Sequence, residues 1–277
     1  MSSPGWTPDF LQASALFEPL RPAGNGLEHL HHWPDIGALE HLRDHAIAPP
    51  VTRSGKPVRF VPQNVAAREF AQQYEQRIYL AGEVQTRAHN WHDLFNALVW
   101  LTFPRAKAAL NQLHYQALLQ EHGNEKAQRG PLRDTATLLD ESGVIVVSSD
   151  AGLSKLLQDF EWKQLFWRQR EAVCAHMRFF LFGHGLYEKA LKPYTGMTGK
   201  GIILAVEQDF FYHPLALQLA AADSMLDNFL SGGAAAPVIL SPVPLLGYPG
   251  WSPDNANEVY YDNSQYFRAR SPRAADC

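Results

Sequence analysis

The chain offers little sulfur chemistry: it has two cysteines, Cys174 and Cys277, in 277 residues. They make neither a disulfide framework nor a zinc–thiolate motif. That excludes a stapled secreted scaffold, and a reducing cytoplasm is expected. Long apolar runs are missing too. The longest, Pro237 to Leu246, holds three prolines and is shorter than the roughly 18 residues a membrane helix needs, so no membrane partner is expected. The opening MSSPGWTPDF has no basic n-region and no apolar h-region, so no secretory signal is read. Basic charge is not in excess. Lys and Arg number 24 against 28 Asp and Glu, for a net charge of −4 and a pI near 6.3, which makes nucleic acid an unexpected partner. There is no G-x-S-x-G elbow, no G-x-G-x-x-G and no HEXXH, and no nucleotide motif is present.

What remains is an ordinary globular composition, 46% hydrophobic and 19% charged, long enough for one large core. A helix is expected over Pro34–His45 with Pro34 as its first residue. KPVRFVP reads as a strand, and Asn64 as the cap of a helix running to Ile78. Two consecutive helices follow, Trp91–Thr102 and Pro104–Glu121. Thr135–Ser149 reads as a β-hairpin around Asp-Glu-Ser-Gly. Helix is then expected over Ala151–Glu171, strand over Ala172–Gly183 (with Cys174 inside it), a short helix over His184–Lys192, strand over Gly201–Val206 and helix over His213–Leu230. Strands and helices that do not alternate regularly define an α+β fold. It is mostly helical with a small antiparallel or mixed sheet. One compact domain is expected, with residues 33–235 as its core and 236–277 as an extended wrapping segment.

The polar residues of interest lie between His89 and His114 (HNWHDLFNALVWLTFPRAKAALNQLH). The first helix of this segment is apolar almost all round, which marks a buried helix. His92 and Asn96, at i and i+4, therefore need hydrogen-bond partners. On the second helix Lys107, Asn111 and His114 share one flank and face the first helix across the Phe103–Pro104 break. His92, Asp93 and His114 are the candidate acid–base groups or metal ligands. Asn96, Lys107 and Asn111 are candidates for holding substrate. The set admits a divalent metal without matching a known zinc spacing. The plainer reading stands beside it: Asn90 caps the helix with Asp93 as its N3 partner, and the asparagines lock two helices together.

A second segment, FGHGLYEKALKPYTGMTGKG, places His184, Glu188 and Lys192 on one helix face. Glu188 and Lys192 read as a surface pair. Glycines on both sides of His184 indicate a close backbone approach or an exposed position. Thr195, Thr198 and Lys200 form a candidate anion loop, and His184 and Lys200 join the candidate substrate-binding set. Arg133-Asp134 reads as a pair anchoring the hairpin.

HNWHDLFNALVWLTFPRAKAALN, RDTATLLDESGVIVV and FGHGLYEKALKPYTGMTGKG together resemble the bacterial family called domain of unknown function 3025. The resemblance runs from about Trp33 to Arg268. It implies a bacterial, cytoplasmic protein and brings no activity with it. Two functions follow from the residues. The leading one is an enzyme, a metal-assisted hydrolase of a small anionic substrate. The alternative is a non-catalytic binding or regulatory protein in which the cluster is a structural hydrogen-bond network.

Overall fold

The run Gly143–Ser148 (GVIVVS) is buried at every position, the pattern of a strand covered on both faces. In the computed structural model, which describes residues 5–63, 69–122, 131–232 and 240–270, it is an interior strand of a four-stranded sheet. Two short strands precede it, β1 (Arg59–Pro62) and β2 (Glu83–Thr86), which pair in parallel apart from that sheet. The larger sheet holds β3 (Gly143–Ser148), β4 (Met177–Leu181), β5 (Thr198–Ala205) and β6 (Ser241–Pro244) in the order β4-β3-β5-β6. β3 and β5 are parallel, and the two outer strands are antiparallel to their neighbours. Helices α1 (Ile36–Asp44), α2 (Tyr74–Ala81), α3 (Trp91–Thr102), α4 (Pro104–His122), α5 (Pro131–Ser142), α6 (Ala151–Gln158), α7 (Arg170–His176), α8 (His184–Ala190) and α9 (Leu215–Ser231) complete a mainly helical α+β fold. Among the described residues no helix is long and apolar enough to cross a membrane.

Several expectations are corrected. Thr135–Ser149 is not a hairpin, because α5 runs to Ser142 and β3 starts at the next residue. Ala136 and Leu139 are buried at i and i+3 while Leu138 is half exposed, a helical period rather than an alternating one. Asp-Glu-Ser-Gly ends the helix instead of turning a hairpin. Arg133 pairs with Glu121 of α4 at 2.6 Å. The stretch Ala172–Gly183 is strand only over Met177–Leu181, its bulky half. Cys174 lies exposed on α7. The expected helix over 151–171 breaks after Gln158 and continues through a π-helical turn, Gln164–Arg168. α1 starts two residues later than expected, at Ile36 rather than Pro34, with Asp35 as its cap, accepting from the Ala38 N–H at 2.8 Å. α8 stops at Ala190, short of Lys192. Thr198 and Lys200 belong to β5 rather than to a loop. The proposed cap Asn64 lies outside the described residues. The α3–α4 pair and its Phe103–Pro104 break stand as expected.

The buried apolar residues form one cluster that draws on both ends of the chain, from Phe10, Leu16 and Phe17 to Tyr261, Tyr266 and Phe267. At the front, Phe10 meets Trp91 of α3 edge to face at 4.9 Å, and Phe17 stacks on Phe95 at 5.7 Å. At the back, the tail is pinned by buried polar side chains. Asn255 donates to the carbonyls of Leu246 and Tyr248 at 2.9 and 2.7 Å. The Tyr266 hydroxyl donates to Met197 O at 2.8 Å and accepts from the Leu246 N–H.

Candidate functional site

Three helices supply the site. α3 is fixed by its aromatic side, where Trp91 and Phe95 are buried, so His92 is left facing α8. α8 is fixed by Tyr187. Its ring stacks on Phe95 at 5.8 Å, and its hydroxyl donates to Leu181 O at 2.6 Å. α5 brings Asp140 and Glu141 in its last turn. The junction of α5 and α8 is closed by glycine. A Cβ on Gly183 would lie 2.5 Å from the Gly143 nitrogen, and one on Gly185 would lie 2.9 Å from Glu141 O. Close backbone approach is therefore the reason for the glycines around His184, and it sets His184 against Asp140 and Glu141.

His92 and His184 meet through their Nε2 atoms at 2.9 Å. Glu141 Oε1 stands 3.7 Å from the first and 3.6 Å from the second. The far side of each ring faces a carboxylate. His92 Nδ1 is 3.0 Å from Glu188 Oε2, and His184 Nδ1 is 3.6 Å from Asp140 Oδ1, just beyond hydrogen-bond length. His184 is buried, and its Nδ1 has no closer partner. His92, Glu141 and Glu188 are partly open to solvent, with side-chain exposures of 29%, 45% and 41%. One side of the cluster therefore admits a ligand.

Asp140 is kept ionised by its neighbours. Burial alone would raise its pKa, but the Lys107 ammonium at 2.5 Å and the nearby His184 outweigh burial and hold the carboxyl well below its usual range. Lys107 also donates to Asn96 Oδ1 at 2.9 Å, and Asn96 Nδ2 donates to the Tyr74 hydroxyl at 2.8 Å. A polar thread thus runs from His184 through Asp140, Lys107 and Asn96 to Tyr74, lying between α3, α4, α5 and α2.

The structure brings His92 and His184 together and links Asn96 and Lys107 to them through Asp140. It does not bring Asp93 in. The Asp93 carboxylate takes the Arg87 guanidinium at 2.7 and 3.0 Å and the Arg87 backbone N–H at 2.6 Å, which closes the turn between β2 and α3. Asn90 caps α3 by accepting from the Asp93 N–H at 3.0 Å. His114 gathers with Glu75 and Asp140 in a separate group, and Asn111 donates to the Glu75 carboxylate. Lys200 pairs in register with Gly143 and Pro242 on β5 and makes no hydrogen bond or ion pair with the cluster. Asp140 and Glu141 are hidden in the sequence by turn chemistry that reads as a hairpin, and Glu75 carries no local signal. Glu188 reads there as a surface partner of Lys192. The signal for Glu188 was its i+4 spacing from His184 on a glycine-flanked helix.

An α+β domain carrying a paired-histidine, three-carboxylate cluster is the class that the fold and site define. Residues 58–271 match the family model described as Protein of unknown function (DUF3025). The chain belongs to that family. No curated protein and no solved structure matches it.

Proposed function

We propose that His92, His184 and Glu141 form a mononuclear metal centre and that the protein is a metal-assisted hydrolase. The observation that carries this reading is the meeting of three acceptor atoms. A carboxylate accepts only: that of Glu188, 3.0 Å from His92 Nδ1, draws the imidazole proton to that side, and the charge of Asp140, 3.6 Å from His184 Nδ1, favours the same tautomer of His184. Both Nε2 lone pairs then point at one another and at Glu141 Oε1. Three lone pairs within 3.7 Å repel unless a cation lies among them. Two imidazoles and one carboxylate with an open side are the donor set of a catalytic zinc-type site. Carboxylates behind the imidazoles fix the tautomer and raise ligand basicity.

Such an ion supplies a water activated near neutral pH and a charge for a substrate oxygen. The basic side chains near the site are already engaged, Lys107 with Asp140 and Arg87 with Asp93. The metal is thus the group left to receive an anionic or carbonyl oxygen. Glu188, partly exposed, orients His92 and stands at the rim to take up a proton. We place this chemistry in the bacterial cytoplasm, in keeping with the free surface thiol of Cys174.

A second reading rests on the 2.9 Å separation, which is hydrogen-bond length and shorter than the roughly 3.3 Å between nitrogens on a tetrahedral zinc. In it the two histidines share one proton and act as an acid–base pair. Metal content of chelator-free protein separates the two. One equivalent that both His92→Ala and His184→Ala lose, while keeping the wild-type circular dichroism, is the result expected. Phosphoesterase and amidohydrolase screens then follow. An ion count that neither substitution changes sinks the metal centre and leaves the proton-sharing pair.

A further inference from the structure

Behind the histidine pair lies a second set of ligand atoms. Glu75 of α2, His114 of α4 and Asp140 of α5 each present one within 4.8 Å of the others. With Lys107, Asn111 and Trp100 they line a small, partly open space of about 10 Å³, the size of a single water or ion. Asn111 gives the independent sign of an occupant. It is only 3% exposed. Its Nδ2 donates to both the backbone carbonyl and the carboxylate of Glu75, at 3.0 and 2.8 Å. Both partners accept only, so the amide cannot be flipped. Its Oδ1 is therefore fixed in the interior without a partner, and a buried acceptor in that state requires a cation or a donor.

We propose that this space is a second, inner cation site, for a small divalent first-row ion such as Mn²⁺ or Zn²⁺. Its ligands are carboxylate oxygens of Glu75 and Asp140, His114 nitrogen and Asn111 Oδ1. Three oxygens and one imidazole suit the harder end of that series. Two carboxylates against the single Lys107 ammonium leave the lining net negative when His114 is neutral. Lys107 is spent on Asp140 Oδ1 and Asn96 Oδ1, and its charge keeps the inner affinity below that of an all-acidic cage. The inner site shares no ligand with the outer one and does not depend on the outer pair's being a metal centre.

The test is equilibrium dialysis against Mn²⁺ alone and Zn²⁺ alone, followed by elemental analysis and thermal melts. The proteins are wild type, His92→Ala, His114→Gln and Asn111→Leu. Two equivalents are expected on wild type. His92→Ala should keep one, with its melting temperature still rising on metal addition, while His114→Gln and Asn111→Leu should keep the outer one. His92→Ala leaves every inner ligand intact, so its result stands even if an inner variant fails to fold. An ion retained by His92→Ala supports the inner site even where the outer reading fails. No ion and no melting shift in His92→Ala overturns the inner site and assigns the space to an ordered water.

Discussion

Asp223 carries a carboxylate in surroundings that work against its charge. Burial raises its pKa to about 6, although the N–H groups of Ala106 and Arg105, at 2.8 and 3.1 Å, favour the ionised form. A raised carboxyl pKa means that the folded protein holds the proton more tightly than the unfolded chain. This group's stabilisation is complete below about pH 4 and is lost as pH rises to 6, up to about 3 kcal/mol. Asp223→Asn keeps an acceptor for α4 but cannot ionise. Urea unfolding at pH 4 and pH 7 should show the variant gaining on wild type as pH rises, and parallel profiles would contradict the assignment. Lys107 is the opposite case, a buried cation that keeps a buried anion tolerable. Lys107→Met should lower stability by about 3–5 kcal/mol, because Asp140 loses its ammonium. Adding Asp140→Asn should recover part of that loss in the same unfolding measurement.

The junction of α5 and α8 decides whether the outer site exists. Gly183 has an ordinary φ of −63°, so what it provides is room rather than backbone freedom. Gly183→Ala drives a methyl into the backbone at Ser142 and Gly143. It should cost about 1–3 kcal/mol and move His184 away from Glu141. The expected readout is a weaker outer equivalent in dialysis with the inner one retained. Equal loss of both would mean a general collapse of α5. This junction also shows what the sequence could reveal. α3 and α4 were legible because Pro104 punctuates two strongly periodic stretches. α5 was not, since Leu138-Leu139 and the Asp-Glu-Ser-Gly turn chemistry imitate a hairpin, and only tertiary burial of Ala136 and Leu139 selects the helix. His92 and His184 could each be nominated from their own segments. Their meeting, across 92 residues, depends on the packing of Tyr187 against Phe95 and leaves no local trace. Asp140 and Glu141 were hidden by the same misread turn.

Across the whole molecule, segments near both ends of the chain close over one core, residues 10–20 against α3, α8 and β4 and residues 241–267 against β5 and its neighbours. The expected wrapping segment is thus partly a strand. β6 reads Ser-Pro-Val-Pro, and its pairing with β5 leaves Pro242 and Pro244 in the outermost position of the sheet. Proline has no N–H to offer an incoming strand. A boundary of this kind ends the hydrogen-bonded lattice rather than extending it, so the sheet has a built-in stop against recruiting another chain. Replacing both prolines with threonine should leave the fold in place and raise self-association in light scattering. A double variant as monodisperse as wild type would mean that the edge is shielded by other means. On this view the prolines guard the colloidal behaviour of the protein more than its stability, and a mutation there would show itself first as lost solubility.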